Sequence, residues 1–333
     1  MRSFIPYIFF IFVLALYSCG SSKKPVEDNT LTSEVQVNVP GFDADSAYAY
    51  IEKQLSFGPR VPGSEAHSKC ASWLETIMES FADTVQVQAF KARAYNGNVL
   101  RGRNIIASFN LENKKRIMLS AHWDSRPFAD HDPLESNHNT AIDGANDGAS
   151  GVGVLIEAAR QFSMQNPAIG LDIIFFDLED YGPPQDAQNY AGEDYWGLGS
   201  QYWANNPHKT NYRALYGILL DMVGVKDPTF MMEGFSMMYA PSRVKKVWDM
   251  AEELGYGKYF PRERGSYITD DHYYVNNIAN IPTINIIHLD PKSVNGSFFD
   301  HWHTVNDNLE SIDRSSLKIV GTVILNVVYR EKG

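Results

Sequence analysis

Apolar positions recur along the chain with two different spacings, and together they predict an α/β fold. A spacing of three to four residues predicts helices over residues 43–56, 64–81, 152–162, 196–204, 243–254 and 317–329. Shorter apolar runs rich in β-branched residues predict strands over residues 85–89, 101–109, 115–120, 171–176, 214–220 and 283–287. Strands that alternate with helices are typical of a sheet covered by helices.

The stretch LDIIFFDLEDYG, residues 171–182, is the centre of this pattern. Its apolar run is typical of a strand buried on both faces, and three acids follow it within four residues: Asp177, Glu179 and Asp180. In open α/β sheets, ligands bind beyond the carboxyl ends of the strands. We therefore expect Glu179 and Asp180 to face a ligand site. For a single strand end, a solvated acidic turn is the alternative.

Other predicted strands also end in residues that can bind metals. His122 and Asp124 follow one strand, Asp221 follows another, and His288 ends the last. A histidine with an aspartate nearby can form a metal ligand and the carboxylate that orients it. Because these side chains follow the ends of core strands, we expect them to lie close together.

Three further candidates lie between the predicted elements. Asp147 is surrounded by small residues in GANDGASGVG, where helix capping is the alternative role, Asp270 begins the sequence DDH, and His303 lies in HWHT. Oxygen and imidazole ligands without thiolates suit a catalytic zinc. The motifs HExxH and GxSxG are absent from the sequence. We expect the long polar loop 128–142 to be a solvated lid.

Length and charge restrict the possible partners. The 333 residues, 44% of them hydrophobic, suffice for one large folded domain, which we assign to residues 41–333. A net charge of -11 and the lack of a Lys/Arg-rich run argue against nucleic acid and anionic membrane surfaces as partners. The two cysteines, Cys19 and Cys70, are not expected to form a disulfide.

The amino terminus predicts export. Residues 1–18 combine a basic residue, an apolar stretch and a small residue in the order of a signal peptide, and Leu16 to Cys19 resembles a lipoprotein processing box. We expect a lipid anchor at Cys19, a flexible tether over residues 19–40, and a location in the bacterial cell envelope, at the periplasm or the outer membrane. Ordinary signal cleavage or a single anchor helix are the alternatives.

A set of motifs in fixed chain order resembles the M28 metallopeptidase superfamily and, within it, the animal-type glutaminyl-peptide cyclotransferases. The motifs are AHWDSRP, GANDGASGV, FFDLEDYG, LLDMVG with DPTF, ITDDH, and HWHT with DN. The resemblance covers residues 41–331. It implies a three-layer αβα architecture with a central twisted mixed β-sheet, as in zinc exopeptidases, and a site at the strand ends.

The resemblance also implies a role for each matching residue. Asp147, Asp180 and His303 match zinc ligands, and Glu179 matches the general acid/base. Asp221 and Asp270 match two acids hydrogen-bonded with the catalytic glutamate, and His288 matches a histidine that stabilises the oxyanion. Trp302 and Trp196 match tryptophans that line the substrate pocket, and His122 matches a histidine that either supports a zinc ligand from behind or binds a second metal. Asp180 departs from the glutamate usual in the family, and loop 128–142 is longer than in the animal enzymes.

The implied activity is conversion of the N-terminal glutamine of peptides or proteins to pyroglutamate with release of ammonia, with one zinc per chain. A two-zinc M28 aminopeptidase is the rival interpretation, because His122, Asp147, Asp180, Asp221 and His303 would supply a two-metal ligand set. A lipoprotein that binds peptides without catalysis is a third. We expect a monomer that contacts the membrane only through its anchor.

Overall fold

Six strands form one mixed sheet. They are β1 (Thr84–Arg93), β2 (Val99–Phe109), β3 (Arg116–His122), β4 (Gly170–Phe176), β5 (Gly217–Asp221) and β6 (Thr283–Ile287). Their order across the sheet is β1-β2-β4-β3-β5-β6. β2 is antiparallel to β1 and β4, whereas β4, β3, β5 and β6 are parallel to one another. The carboxyl ends of these four parallel strands therefore meet at one edge of the sheet.

The structure is a computed structural model, and it describes residues 37–185, 187 and 194–332. The predicted signal peptide, Cys19 and most of the predicted tether lie outside the described residues, so export and lipidation stay predictions. Residues 37–333 form one compact unit. In the described ranges, no helix has both the length and the apolar character needed to cross a membrane.

Helices cover both faces of the sheet. They are α1 (Ala44–Leu55), α2 (Glu65–Glu79), α3 (Ala149–Met164), α4 (Leu198–Asn205), α5 (Gly234–Tyr239), α6 (Pro241–Glu253), α7 (Asp271–Asn277) and α8 (Arg314–Tyr329), with short 3-10 turns at Glu135–Asn137 and Leu309–Ser311. Helices α1 and α2 begin at the side-chain caps Asp43 and Ser64.

Alternation along β4 divides the interior into two cores. Ile173 and Phe175 belong to the larger core, which contains residues of α1, α2, α3, α6 and α8. Ile174 and Phe176 belong to a second core with Trp203 of α4 and Val275 of α7. Successive strand side chains point to opposite faces, so a strand apolar on both faces must be covered twice. The predicted three-layer αβα architecture is confirmed.

Several boundaries differ from the predicted ones. β5 begins at Gly217, three residues after the predicted start, and the Leu215 N–H donates to the carbonyl oxygen of Arg116 at the start of β3. α4 begins at Leu198, after Gly197 in the left-handed region at φ 55°. α5 and α7 were not predicted, since six and seven residues are too few for a helical period to show.

Loop 128–142 is only in part the solvated lid that the sequence predicts, because residues 133–136, 139 and 140 are exposed but its first residues are not. Asp130 and Asp132 are buried within it. The His131 N–H donates to the carbonyl oxygen of His303 at 3.1 Å, and the Val305 N–H donates to Asp132 Oδ2 at 3.2 Å. The loop therefore packs against the segment that carries His303.

Close packing of α1 on α3 depends on Gly153. A Cβ there would lie 2.6 Å from Ile51 Cγ1 and 2.8 Å from the carbonyl oxygen of Ala47. We expect Gly153→Ala to lower the free energy of unfolding by about 1–2 kcal/mol in urea titrations, because overpacking outweighs the helix propensity gained. Gly41→Ala, where a Cβ would meet no atom within 4 Å, is the control. Equal unfolding midpoints for the two variants would contradict the packing argument.

Candidate metal centre and active site

Two carboxylates and an imidazole converge at the carboxyl edge of the sheet. Asp147, Asp180 and His303 each offer one ligand atom, and these atoms lie within 4.8 Å of one another. His303 Nε2 is 3.3 Å from Asp180 Oδ1 and 3.6 Å from Asp147 Oδ2. All three side chains are buried. The structure thus brings together three residues that are 33 or more positions apart in the sequence.

Asp147 is held by its backbone before the start of α3. Asp307 accepts hydrogen bonds from the Asn146 N–H at 2.8 Å and from the Asp147 N–H at 3.1 Å. Gly148 follows, and a Cβ there would overlap the imidazole of His122. The Asp147–Gly148 peptide bond is cis. Small residues around Asp147 therefore let the backbone and His122 approach closely.

Glu179 and Asp180 lie on a tight turn after β4. Leu178 is in the left-handed region at φ 58°. The N–H groups of Glu179 and Asp180 donate to Oδ1 and Oδ2 of Asp124 at 3.1 and 3.2 Å. Asp124 is fully buried, so one carboxylate fixes the backbone of both residues.

His303 is fixed from two sides. Its imidazole stacks on Trp302 with ring centroids 3.7 Å apart. Its Nδ1 lies 3.4 Å from Asp130 Oδ1. A carboxylate beside the outer nitrogen of a ligating histidine orients the ring and increases its basicity. This arrangement leaves Nε2 directed at Asp180 and Asp147.

A second group of possible ligands shares Asp147. His122 Nε2 lies 2.9 Å from Asp147 Oδ1 and 3.4 Å from Asp221 Oδ1. His122 Nδ1 lies 3.5 Å from Asp124 Oδ1, as the sequence predicts for an orienting carboxylate. His122, Asp147 and Asp221 offer atoms within 4.8 Å of one another. The geometry is thus compatible with one or two metal ions.

The donor set fits zinc. Carboxylate and imidazole ligands without thiolates are typical of catalytic zinc sites. Asp180 Oδ2 is buried and has no hydrogen-bond partner among the described residues. A buried carboxylate oxygen without a partner is costly, and a divalent cation removes that cost. The residues present can therefore hold zinc through Asp147, Asp180 and His303.

A cavity of about 420 Å³ opens beside these ligands. Its polar lining consists mainly of acids, including Glu179, Asp221 and Asp270. Aromatic rings form much of the remaining wall: Trp196, Tyr267, Phe298 and Trp302. Such a cavity suits a small polar group with an apolar stem.

His288 is the predicted site residue that does not join this group. Its neighbour Ile287 lines the cavity, but His288 is not among the described lining residues. His288 Nδ1 accepts a hydrogen bond from the Thr229 N–H at 2.9 Å. Burial lowers the pKa of His288 to about 4, so its imidazole is neutral near pH 7.

Glu179 and Asp221 hold protons more tightly than free carboxyls do. Burial, together with the charges of Asp270 and Asp180, raises the pKa of Glu179 well above its usual range, against the opposing effect of His122. Burial also raises the pKa of Asp221 to about 8, with Asp147 and Asp270 acting in the same direction. A carboxyl group with a raised pKa is suited to proton transfer near neutral pH.

Asp270 is fixed at the start of α7. Its Oδ1 accepts from the Asp271 N–H at 2.5 Å, and its Oδ2 accepts from Asn285 Nδ2 at 2.6 Å. Burial raises the pKa of Asp270. Asp271, which follows, is also fully buried. The predicted TDDH segment therefore places one acid at the cavity and a second behind it.

Sequence reasoning missed three residues that support the site. Asp307 holds the backbone of Asp147, Asp130 lies beside His303, and Arg126 pairs with Asp130. Arg126 lies in the motif AHWDSRP and Asp307 in the motif DN, so the motifs could have indicated that both residues belong to the site. Asp130 had no such signal, because it lies in a polar loop that the sequence predicts to be solvated.

Comparison with known proteins gives consistent matches. The sequence model described as peptidase family M28 matches residues 104–328. The glutaminyl-peptide cyclotransferase of Bos taurus is 28% identical in an alignment that covers 93% of this chain and 86% of that protein.

Two solved structures are closer in sequence. The glutaminyl cyclase of Tannerella forsythia is 54% identical, with a TM-score of 0.86 and coverage of 88% of this chain and 100% of that one. A Zn-dependent exopeptidase from Parabacteroides distasonis is 53% identical, with the same TM-score and coverage.

We expect His303→Ala to purify without zinc, because two carboxylates alone leave the site short of the about three protein ligands of a catalytic zinc. Zinc content measured by inductively coupled plasma mass spectrometry tests this. His138→Ala, which removes a histidine bonded to the Asp132 carbonyl oxygen, should keep the wild-type zinc content. Full zinc occupancy in His303→Ala would remove His303 from the ligand set.

Proposed function

The chain belongs to peptidase family M28, and from this membership and the site we propose that it is a zinc-dependent glutaminyl-peptide cyclotransferase. The substrate is a peptide or protein with N-terminal glutamine, and the products are pyroglutamate at that terminus and ammonia. The observation that carries the proposal is the position of Glu179, a buried carboxyl with a raised pKa beside three zinc-type ligands in an aromatic cavity.

The reaction closes a ring within one residue. The α-amine nitrogen attacks the side-chain amide carbon, the bond from that carbon to the amide nitrogen breaks, and ammonia leaves. Asp147, Asp180 and His303 would hold a zinc ion, which when bound would supply Lewis-acid polarisation of the amide carbonyl. Because amine and amide belong to the same residue, the cavity has only to hold them in a reactive geometry.

Glu179 moves the proton. As a carboxylate it accepts a proton from the attacking amine, and as a carboxylic acid it gives that proton to the leaving nitrogen. Both steps are efficient only when its pKa is close to the working pH. Burial and the charge of Asp270 raise the pKa of Glu179 in this direction. We assign Asp221 and Asp270 the role of sharing protons with Glu179, and we assign no step to His288.

The tryptophans shape the substrate cavity. Trp302 and Trp196 both line it, and their ring centroids lie 3.7 and 6.5 Å from that of His303. Enclosure of the glutaminyl side chain between apolar rings excludes water, which favours attack by the amine over hydrolysis.

A two-zinc aminopeptidase is the second candidate, and the group His122, Asp147 and Asp221 favours it. We propose one zinc per chain, because Asp270 in the cavity and Trp302 beside His303 match features of cyclases. Zinc stoichiometry separates the two candidates, since one zinc per chain supports a cyclase and two support an aminopeptidase.

We expect Glu179→Gln to bind zinc normally and to lose activity by about 10²- to 10⁴-fold, because the amide cannot accept the amine proton. Glu157→Gln, at a buried glutamate in α3 that pairs with Arg160, is the matched control and should remain active. Release of ammonia from a Gln-initiated peptide measures both. Near-normal turnover in Glu179→Gln would remove Glu179 from the proton-transfer role.

The reaction itself is tested by mass spectrometry of purified protein with a Gln-initiated peptide. A cyclase lowers the mass of the peptide by that of one ammonia molecule and removes no residue. An aminopeptidase releases a free amino acid and a peptide that lacks the first residue. Release of free glutamine as the main product would overturn the proposed function.

A further inference from the structure

Arg126 lies beside the proposed zinc site and contacts a ligand without being one. The side chain is 1% exposed. Its Nη1 donates to the carbonyl oxygen of Asp180 at 3.2 Å and to Asp180 Oδ1 at 3.3 Å. Its Nη2 also donates to the carbonyl oxygen of Pro183 at 3.2 Å. One guanidinium therefore holds both the backbone and the carboxylate of Asp180.

The same guanidinium reaches His303 through Asp130. Arg126 Nε and Nη2 donate to Asp130 Oδ1 and Oδ2 at 2.8 and 2.7 Å, a bidentate pair. Asp130 Oδ1 in turn lies 3.4 Å from His303 Nδ1. Bidentate pairing fixes a carboxylate in position as well as in orientation. Asp130 is thereby held where it can orient His303.

The flat face of Arg126 contacts the cavity wall. Its guanidinium carbon lies 5.0 Å from the ring centroid of Trp196, within the range of a cation–π contact. Trp196 lines the cavity and is nearly parallel to the His303 ring, with an interplanar angle of 15°. Arg126 thus touches the wall that faces the substrate.

We propose that Arg126 is a positioning residue. It holds the zinc ligands Asp180 and His303 and the cavity-wall residue Trp196 in one fixed arrangement. The inference rests on the proposed zinc-dependent function and deepens it. Asp130 balances the positive charge of Arg126, so the pair can lie beside a dication without strong net repulsion. A change at Arg126 is therefore expected to alter metal binding and the cavity wall together.

Only arginine can make this set of contacts. It has five N–H donors in one plane, and the structure uses Nε, Nη1 and Nη2. Lysine keeps the charge but has no planar fork and no flat face. Arg126→Lys therefore separates the positioning role from the charge, and Arg126→Met removes both.

The test measures zinc affinity and the environment of Trp196. We expect Arg126→Lys and Arg126→Met to weaken zinc binding by about 10- to 100-fold in competition with a chelator, the usual effect of losing support around a ligand. We expect both to change the Trp196 fluorescence, taken as the difference between each protein and the same protein carrying Trp196→Phe. Asp130→Asn should weaken zinc binding but leave the Trp196 fluorescence unchanged.

Arg116→Lys is the matched control. Arg116 is also buried and forms a bidentate pair, with Asp172, but it lies at the start of β3, opposite the site. His122 lies six positions further along the strand, which places its Cα atom about 20 Å from that of Arg116. We expect Arg116→Lys to lower the melting temperature and to leave zinc affinity and Trp196 fluorescence at wild-type values. If Arg126→Met does not fold, Arg126→Lys and Asp130→Asn decide.

Zinc affinity within twofold of wild type and unchanged Trp196 fluorescence in Arg126→Lys would overturn the proposal. Equal zinc loss in Arg126→Lys and Arg116→Lys would also overturn it, because the effect would then be general destabilisation. Neither readout needs turnover. A wild-type protein that binds zinc but releases no ammonia would overturn the cyclase function and would leave the role of Arg126 to be judged by the same two measurements.

Discussion

Negative charge concentrated in one buried site determines how the surrounding structure is built. Five acids are buried in or beside one cavity: Asp147, Glu179, Asp180, Asp221 and Asp270. Buried carboxylates without partners are strongly unfavourable, and pairing, proton uptake or a metal ion relieves them. The raised pKa values of Glu179 and Asp221 reflect proton uptake, and the contacts of Asp147 with His122 and His303 reflect pairing. Burial also raises the pKa of Asp180, and the metal ion that Asp180 and Asp147 would hold relieves the cost of burying their charges.

Backbone geometry enforces this concentration of charge. Leu178, Met222 and His303 are non-glycine residues in the left-handed region, at φ 58°, 49° and 54°, and each is itself a site residue or lies next to one. Such a conformation costs roughly 1–2 kcal/mol per residue. It persists where surrounding contacts fix the backbone, as Asp124 does at the turn after Leu178. Contacts elsewhere in the structure therefore offset the strain at these residues, whose backbone conformation places the ligands at the ion position.

The parts of the site that follow strands could be predicted from the sequence, and the parts that depend on loop packing could not. The apolar run before Glu179 shows the end of a buried strand, and the parallel sheet brings that end to the same edge as Asp221, with β3 between the two strands. Asp130 has no such pattern around it, and its burial follows from contact with a segment more than 170 residues later. His288 shows the converse, because a strand end alone does not decide whether a side chain lines the cavity.

The short side chain of Asp180 explains why so much of the structure acts on its backbone. An aspartate has one methylene fewer than a glutamate, so its carboxylate can reach an ion only from a main chain that lies closer. The Asp180 N–H is bound by Asp124 and its carbonyl oxygen by Arg126, so both sides of this residue are fixed. With fewer rotatable bonds, the carboxylate position follows the backbone more rigidly. Precision at this ligand thus comes from hydrogen bonds to the peptide groups, and it is transmitted by Arg126 to His303 and to the wall of the cavity.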